Sequence, residues 1–303
     1  MSKSNGVTKS QIDEIIEKLR SEKLPADNKL DLISERLTKL FIENISERTV
    51  LGIDVYRYSK YGRLAQAIIP HVMHSVLKLT VENLIEHEGV FFSKENAPKL
   101  DKDYIDTGDG GYLIFEKPLQ ALLFLIYFQA NLLVYNTSNV WPELTYVTMA
   151  LSVRYCLTLH GLYRYESNWY GPAIINNARI LASDKLNRLL IDSNVKDWFD
   201  LNTNGIETLS VLSLEDFEQS EDLKNLLLAG QDKKSLVFPQ KSSPINTIRN
   251  VNQSQIGQVS IKDDLLAVYN LHIQCYLNYA KSPEIGKNVI TIGNLNTQGI
   301  GVI

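Results

Sequence analysis

Apolar residues recur along the first part of the chain with the spacing of amphipathic helices. Between residues 8 and 45 they return every three or four positions, as in Ile12 and Ile15. This period places them on one face of a helix. Pro25 interrupts the pattern, which then resumes. The pattern therefore predicts two helices, which form an N-terminal helical segment over residues 1–45.

The pattern changes to short apolar runs after this segment. The run TVLGIDVYRYS predicts a buried strand, and a long helix is predicted from Gly62 to about Glu88. Residues 103–115 contain a Gly-Asp-Gly-Gly turn between apolar runs, which predicts a hairpin because glycine accepts positive φ. A further helix is predicted from Pro118 to about Tyr135. Strands and helices thus alternate through the middle of the chain.

The same alternation continues beyond this helix. Strands are predicted over Tyr146–Leu159 and Leu162–Glu166, on either side of Gly161, and a last strand over residues 206–213. A helix opens after Gly171-Pro172, because proline suits the first helical position. The order of elements predicts an α+β fold, in which one mostly antiparallel sheet carries helices on one face.

The composition shifts after about Gly230. Residues 231–262 are rich in Lys, Ser, Asn and Gln and predict a linker or loop, whereas residues 263–281 predict one more amphipathic helix. The expected organisation is a main domain over residues 46–230, followed by a polar linker and C-terminal extension over residues 231–303.

Composition and charge remove several classes of function. The net charge of −4 gives no basic field for nucleic acid or an anionic membrane surface. Cys156 and Cys275 form no CxxC motif, so a disulfide framework and a cysteine-built zinc site are not expected. The first ten residues lack an apolar core, and the apolar stretch Leu119–Tyr135 is shorter than a membrane helix of about 20 residues. A soluble, cytoplasmic protein is expected.

Two aspartates are candidates for binding metal ions. Asp54 lies at the end of the predicted buried strand, and Asp109 lies in the predicted hairpin turn. Such a strand end and hairpin tip can be neighbours in an antiparallel sheet, and the backbone carbonyl of Val55 is a natural third ligand. Mg²⁺ prefers few carboxylates together with phosphate and water oxygens. Two such ions, about 3.5–4 Å apart, can activate a hydroxyl and neutralise a polyphosphate.

Either aspartate alone is more often a structural or turn residue, but four segments in order resemble a class III nucleotidyl cyclase domain over roughly residues 46–215. They are GIDVYRYS, DTGDGGYLIF, VRYCLTLHG and YGPAIINNAR. The resemblance implies a cyclase-like α+β fold, a nucleoside triphosphate substrate and two Mg²⁺ or Mn²⁺ ions per site, held by Asp54 and Asp109. It also implies a homodimer, with the metals on one chain and an arginine at the Arg179 position on the other.

The resemblance suggests further roles in catalysis. Arg179 would stabilise charge on the α-phosphate, a task that suits the planar guanidinium. The backbone amides of residues 55–59, with the hydroxyl of Ser59, could cradle phosphates. The asparagine that assists the arginine in this family is expected at position 175, which is Ile175 here. A shift of one residue could let Asn176 serve instead.

The positions that read the base depart from the purine cyclases. Where those enzymes have a lysine or glutamate and an aspartate, this chain has Ile105 and Asn168. A site without those groups loses the hydrogen bonds that select a purine. The motif Ile-Asp-Val-Tyr-x-Tyr-Ser resembles the pyrimidine cyclases of bacterial anti-phage (Pycsar) systems. That resemblance implies conversion of UTP or CTP to its 3′,5′-cyclic monophosphate and pyrophosphate, with the product acting on a downstream effector. The residues then expected near the smaller base are Tyr56, Arg57, Tyr58 and Asn168.

Three other interpretations remain open at the level of sequence. The first is an adenylyl or guanylyl cyclase with unusual base readers. The second is an inactive cyclase-like domain that binds nucleotide or only dimerises, which Ile175 favours and the retained aspartates and Arg179 oppose. The third is a diguanylate-cyclase-type domain, whose Gly-Gly-Asp/Glu hairpin this chain does not match.

Overall fold

The computed structural model describes residues 6–21, 26–137, 141–210, 214–228, 235, 237, 248–261, 264–277 and 288–300. The helices in this part of the chain are α1 Lys9–Ser21, α2 Ala26–Glu43, α3 Arg63–His87, α4 Pro118–Thr137, α5 Pro142–Thr148, α6 Pro172–Ser183, α7 Ser193–Thr203, α8 Leu214–Gln219 and α9 Glu221–Lys224. Short 3₁₀ turns cover Tyr58–Lys60 and Ile206–Ser210. The strands are β1 Ser46–Val55, β2 Tyr104–Asp106, β3 Gly110–Phe115, β4 Val153–Tyr165, β5 Asn168–Tyr170, β6 Leu189–Asp192, β7 Ile248–Ile261, β8 Asp264–Leu277 and β9 Asn288–Ile292.

The described strands form one sheet in the order β2-β3-β1-β4-β6-β8-β7, with β5 beside β4 and β9 beside β8. Every pairing between these strands is antiparallel except that of β4 with β6. The predicted α+β fold with a mostly antiparallel sheet is therefore confirmed.

The helices lie on both faces of the sheet, so the expectation of a single covered face is wrong. Alternate residues of β1, such as Leu51 and Ile53, face the main core formed with α3 and α4. Val50, which points the other way, packs with Ala173 of α6 in a separate cluster. On that face α6 lies so close to β1 that a Cβ added at Gly52 would come within 1.9 Å of the Oδ1 atom of Asn177.

Helices α3 and α4 are each long and apolar enough to cross a membrane by length and composition alone. The expectation that the apolar stretch in α4 is too short for this is therefore wrong. Within the fold, however, 83% of the most apolar window of α4 is buried, against 39% for α3. Helix α4 thus fills the main core, where an apolar surface all round is expected.

Three predicted elements between α4 and α8 differ from the structure. The strand predicted over Tyr146–Leu159 begins only at Val153, because Pro142 opens helix α5 in its place. Gly161 does not divide two strands, since β4 continues through it in register with β1. The strand predicted over residues 206–213 is a 3₁₀ turn as far as Ser210, and residues 211–213 lie outside the described part.

The C-terminal region also differs from expectation. Residues 248–261, predicted as part of a linker, form β7, and the helix predicted over residues 263–281 is strand β8 as far as residue 277. The apolar residues of β8 include alternate buried positions such as Leu266 and Val268, which a period of two explains as well as a helical one. Because β8 pairs with β6, these strands extend the same sheet. The boundaries at residues 45 and 230 stay proposals.

Candidate active site

The end of β1 and the tip of the β2–β3 hairpin meet at one corner of the sheet, here called the metal corner (Asp54, Val55 and Asp109). Asp54 lies opposite Gly110 of β3 on one side and Arg154 of β4 on the other. The amide of Val55 donates to the carbonyl oxygen of Asp109 at 2.8 Å. This backbone bond ties the hairpin tip to the strand end and brings the two predicted metal residues into one place.

A glycine is required where the hairpin crosses β1. An ideal Cβ on Gly110 would lie 2.0 Å from the carbonyl oxygen of Ile53, a backbone atom that cannot move aside easily. The hairpin tip itself is held by local bonds: Gly108, with φ of +88°, donates from its amide to Asp106 Oδ1 at 2.7 Å. The Asp-Gly signal in the sequence therefore reports both a turn and a close approach between strands.

The two carboxylates at the metal corner influence each other. Burial raises the pKa of Asp54, the hydrogen bond and charge of Arg154 act against that rise, and the charge of Asp109 adds to it. Burial raises the pKa of Tyr104 as well, and the charges of Asp106 and Asp109 add to the effect. The corner therefore concentrates negative charge at a partly buried position, where a cation is favoured.

Arg154 is the residue at this corner that sequence reasoning missed. Its Nε donates to Asp54 Oδ2 at 2.5 Å, with side chains 21% and 22% exposed respectively. The available signal was a charged residue in the otherwise apolar run VRYCLTL, at a strand position facing Asp54. The sequence does not indicate which residue a single arginine in a strand binds, so only the pairing of β1 with β4 reveals its contact with Asp54.

The donor set at the metal corner fits a hard divalent cation. Within the described residues, no group of three or more His, Cys, Asp or Glu side chains is placed to hold a metal ion. A cation here would rely on Asp54, Asp109, the nearby backbone carbonyl of Val55, and oxygens of water or substrate. Magnesium accepts such a set, because it keeps several waters and takes few carboxylates. Arg154 binds only Oδ2 of Asp54, so the ion would share this carboxylate with the positive charge of the guanidinium.

The segment after β1 is a tight turn whose amides are only partly free. The amides of Val55 and Tyr56 donate to the carbonyl oxygens of Asp109 and Ser152, each at 2.8 Å. Arg57 is left-handed, with φ of 59°. In the described structure, the cradle expected over residues 55–59 therefore reduces to the amides of residues 57–59, beside the exposed hydroxyl of Ser59.

The aromatic residues of this turn already have partners. The Tyr56 hydroxyl donates to the carbonyl oxygen of Lys185 at 3.1 Å, and the Arg57 guanidinium lies 4.8 Å from the Tyr56 ring centre. The Tyr58 hydroxyl donates to the carbonyl oxygen of Gln66 at 2.7 Å, and its ring packs against the main core. Tyr58 thus has a structural role, and contact of these three residues with a base stays a prediction.

The two positions expected to read the base differ in their surroundings. Ile105 on β2 packs against an apolar cluster that contains Trp169 of β5. Asn168, the neighbour of Trp169, is exposed. An isoleucine in apolar packing offers no hydrogen bond to a base, whereas Asn168 can both donate and accept.

Helix α6 separates its predicted catalytic residues onto two faces. Arg179 is exposed, and its Nη1 donates to the carbonyl oxygen of Ser260 on β7 at 3.3 Å. Ile175, one turn earlier, is 51% exposed on the same side. Asn176 is buried, and its Nδ2 atom has no hydrogen-bond partner among the described residues. The structure therefore does not bring Asn176 to the exposed face of Arg179, and its role in catalysis stays a prediction.

Asn177, the next residue, binds the sheet instead. Its Nδ2 donates to the carbonyl oxygens of Val50 and Cys156, at 3.1 and 2.9 Å, and lies 3.2 Å from Thr158 Oγ1. This side chain fixes α6 onto β1 and β4. Of the two adjacent asparagines in the sequence, one is thus a structural anchor.

Comparisons with known proteins give a likeness in shape. No protein-family model matches the sequence, and no curated protein matches it. Among solved structures, the chain is similar to an adenylate/guanylate cyclase/hydrolase from Silicibacter pomeroyi, with 11% identity over 75% of this chain and 96% of that one and a TM-score of 0.42. It is also similar to the adenylyl cyclase CyaB from P. aeruginosa, with 10% identity, 80% and 98% coverage and a TM-score of 0.41.

A third similar structure is the catalytic core of a rhodopsin-guanylyl cyclase with converted specificity, in complex with ATPalphaS. It shares 9% identity over 76% of this chain and 97% of that one, with a TM-score of 0.43. At such low scores and identities, the likeness gives no evidence about activity.

Proposed function

We propose that this chain is a nucleotide cyclase, which converts a nucleoside triphosphate to its 3′,5′-cyclic monophosphate and pyrophosphate. The observation that carries the proposal is the meeting of Asp54 and Asp109 at the metal corner, where the Val55 amide bonds the Asp109 carbonyl at 2.8 Å. Two adjacent carboxylates of this kind suit a site for divalent cations that binds a polyphosphate.

The proposed reaction forms one bond and breaks one bond at the α-phosphorus. The ribose 3′-oxygen bonds to it, pyrophosphate leaves with the electrons of the broken P–O bond, and the hydroxyl proton goes to solvent. Asp54 and Asp109, with the Val55 carbonyl, would hold Mg²⁺ or Mn²⁺. When bound, these ions lower the pKa of the attacking hydroxyl and neutralise phosphate charge. The amides of residues 57–59 and the Ser59 hydroxyl bind phosphate oxygens.

In this proposal Arg179 acts on the site of a second copy of the chain. Its guanidinium stabilises the charge that develops on the α-phosphate oxygens. The support is its position: it is exposed on α6 beside exposed Ile175, and its described hydrogen bond goes to Ser260 rather than to the metal corner. A symmetric homodimer would then contain two equal sites at the subunit interface.

The proposed substrate is UTP or CTP. The support is the apolar packing of Ile105 and the exposed amide of Asn168, which leave the site without the charged pair that reads a purine. Tyr56, Arg57 and Tyr58 lie on the turn that follows β1 and would complete the proposed base contacts. As part of the same proposal, the enzyme is cytoplasmic and its cyclic nucleotide activates a separate effector in anti-phage defence.

The deciding experiment incubates the purified protein with ATP, GTP, CTP and UTP separately, with Mn²⁺ or Mg²⁺, and separates the products by chromatography. Cyclic UMP or cyclic CMP is expected as the main product. Asp54→Asn should abolish it, whereas Asp106→Asn should not, because Asp106 lies on the same hairpin but only caps Gly108. Cyclic AMP or cyclic GMP alone would contradict the choice of base.

Two observations favour a rival proposal, an inactive cyclase-like domain. The asparagine expected beside Arg179 is replaced by exposed Ile175, and Arg154 occupies one oxygen of Asp54. A folded, dimeric sample that yields no cyclic product from any triphosphate would support this rival.

A further inference from the structure

The loop between α6 and β6, residues 184–188, is a junction in the fold and is here called the junction loop. It contains a buried ion pair: Arg188 donates from Nε and Nη2 to both carboxylate oxygens of Asp184, at 3.1 and 2.8 Å. The two side chains are only 1% and 3% exposed. Removing one member would leave an uncompensated buried charge, so the pair locks the loop in place.

On one side the junction loop is held by the C-terminal segment, residues 294–298. Arg188 Nη1 donates to the carbonyl oxygens of Asn296 and Gln298, at 3.0 and 2.8 Å. The Asn294 side chain donates to the carbonyl oxygen of Asn187. The C-terminal segment therefore supplies two hydrogen-bond acceptors and one donor to the junction loop.

On the other side the junction loop reaches the metal corner. Arg154 Nη1 donates to the carbonyl oxygen of Asp184, while its Nε donates to Asp54 Oδ2 at 2.5 Å. The Lys185 carbonyl accepts from the Tyr56 hydroxyl at 3.1 Å, two residues after Asp54. One guanidinium thus bridges the junction loop and a proposed metal ligand.

We propose that Arg154 is a positioning residue that competes with the metal for Asp54. The C-terminal segment sets the strength of this competition through the junction loop. The inference rests on the proposed function, because it takes Asp54 as a metal ligand. Arg154 binds only Oδ2 of Asp54, so a cation at the corner would share this carboxylate with the guanidinium and be repelled by its positive charge. The more firmly Asp184 holds Arg154, the better Arg154 is oriented toward Asp54 and the weaker the metal binding.

The test measures Mn²⁺ binding by electron paramagnetic resonance, without nucleotide. Arg154→Gln should raise the affinity about tenfold, because a positive charge next to the ion is removed. Arg154→Lys keeps that charge but cannot bridge Asp54 and the Asp184 carbonyl, so the affinity should rise about two- to threefold, as in Asn294→Ala. Asn294→Ala should raise the affinity about two- to threefold, because it removes the bond to the Asn187 carbonyl and the bond that Asn294 Oδ1 accepts from the Asn296 amide. Leu295→Ala is the matched control in the same segment: this side chain is 65% exposed, so no change is expected.

The decisive comparison is a double-mutant cycle. If the C-terminal segment acts through Arg154, adding Asn294→Ala to Arg154→Gln should change nothing further, because the coupled element is already gone. An undiminished effect of Asn294→Ala in that background would overturn the inference, and so would an unchanged affinity in Arg154→Gln. Asn294→Leu, which also lacks the donor but keeps the volume, serves if the alanine variant fails to fold.

The failure of the proposed function has a different signature. Mn²⁺ binding in wild type and in Arg154→Gln should be lost when Asp54→Asn is introduced. If it is not lost, or if neither protein binds Mn²⁺, the assignment of a metal site to this corner is wrong and both proposals fall. If Mn²⁺ binds through Asp54 but its affinity does not depend on Arg154, the inference about Arg154 and the C-terminal segment falls and the proposed function stands.

Discussion

The metal corner and the exposed face of α6 differ in what a single chain brings together at each. At the corner, backbone pairing of β1 with β3 and the Val55–Asp109 bond place two carboxylates together without help from another molecule. On α6, Arg179 and Ile175 are exposed, whereas Asn177 is buried and binds the sheet. Strand pairing is enough to bring two carboxylates together, whereas in the proposed function the exposed arginine needs a second copy of the chain to reach a site.

The largest expected effect is at the corner. Asp54→Asn or Asp109→Asn should lower cyclase activity by about 10³-fold, because each removes a ligand for the ions that neutralise the phosphates. Activity is measured as cyclic product formed from the preferred triphosphate, with circular dichroism as the check on folding. Asp106→Asn is the matched control and should keep nearly full activity. Activity that survives in Asp54→Asn would remove the metal assignment.

A mixing experiment tests whether the exposed face of α6 serves a second copy. Arg179→Ala should lower kcat about 10²-fold. Mixing it with Asp54→Asn after subunit exchange should restore about a quarter of the wild-type activity, since half the dimers are mixed and each has one intact site of two. No recovery in mixtures that demonstrably exchange subunits would place the arginine in its own chain's site, or outside catalysis.

The close approach that builds the corner gives a prediction on stability. Gly110→Ala should lower the free energy of unfolding by about 2–3 kcal/mol, because its Cβ would press on the Ile53 carbonyl. Gly108→Ala meets no atom within 4 Å and pays only for its positive φ, so a loss of about 1 kcal/mol is expected. Chemical denaturation measures both. Equal losses would mean that the hairpin does not press on β1.

The smallest effect concerns pH. Asp54 has a raised pKa, so protons should compete with Mn²⁺ at a higher pH than for an ordinary aspartate. Binding should weaken as pH falls through that raised pKa. In Arg154→Gln the midpoint should move higher still, because Arg154 acts to lower the pKa of Asp54. Mn²⁺ titrations between about pH 4 and 8 measure the midpoints, and a midpoint at or below the ordinary aspartate value would contradict the burial of this group.

The meeting of Asp54 and Asp109 could be predicted from sequence because strand and turn signals are local, whereas their role as metal ligands rests on the resemblance of four ordered segments and stays a prediction. An apolar run ending in Asp54 and an Asp-Gly turn at Asp109 each report on their own few residues, and an antiparallel sheet leaves few ways to join them. Arg154 could not be assigned in this way, since its partner lies 100 residues away in the chain.

The C-terminal strands could not be predicted for a related reason. The run of β8 is apolar at positions that fit both a helix and a strand, and what decides is pairing with β6 and β7. Strand β6 has only four residues, all buried, so it carries no alternation to recognise. Polar residues in β7 hid a strand in a stretch that reads as linker.

Gly52 lies in the strand that carries Asp54, at the point where α6 packs on the sheet. Because Gly52 has no side chain, α6 can settle onto β1, where Asn177 bonds the carbonyl of Val50. The strand that carries Asp54 near its end therefore also supports the helix of Arg179. A larger residue at position 52 would push α6 away from β1 and so move Arg179. Asp54 would keep its place in the strand. In a symmetric dimer the change occurs in both chains, so the position of Arg179 would change equally at both proposed sites.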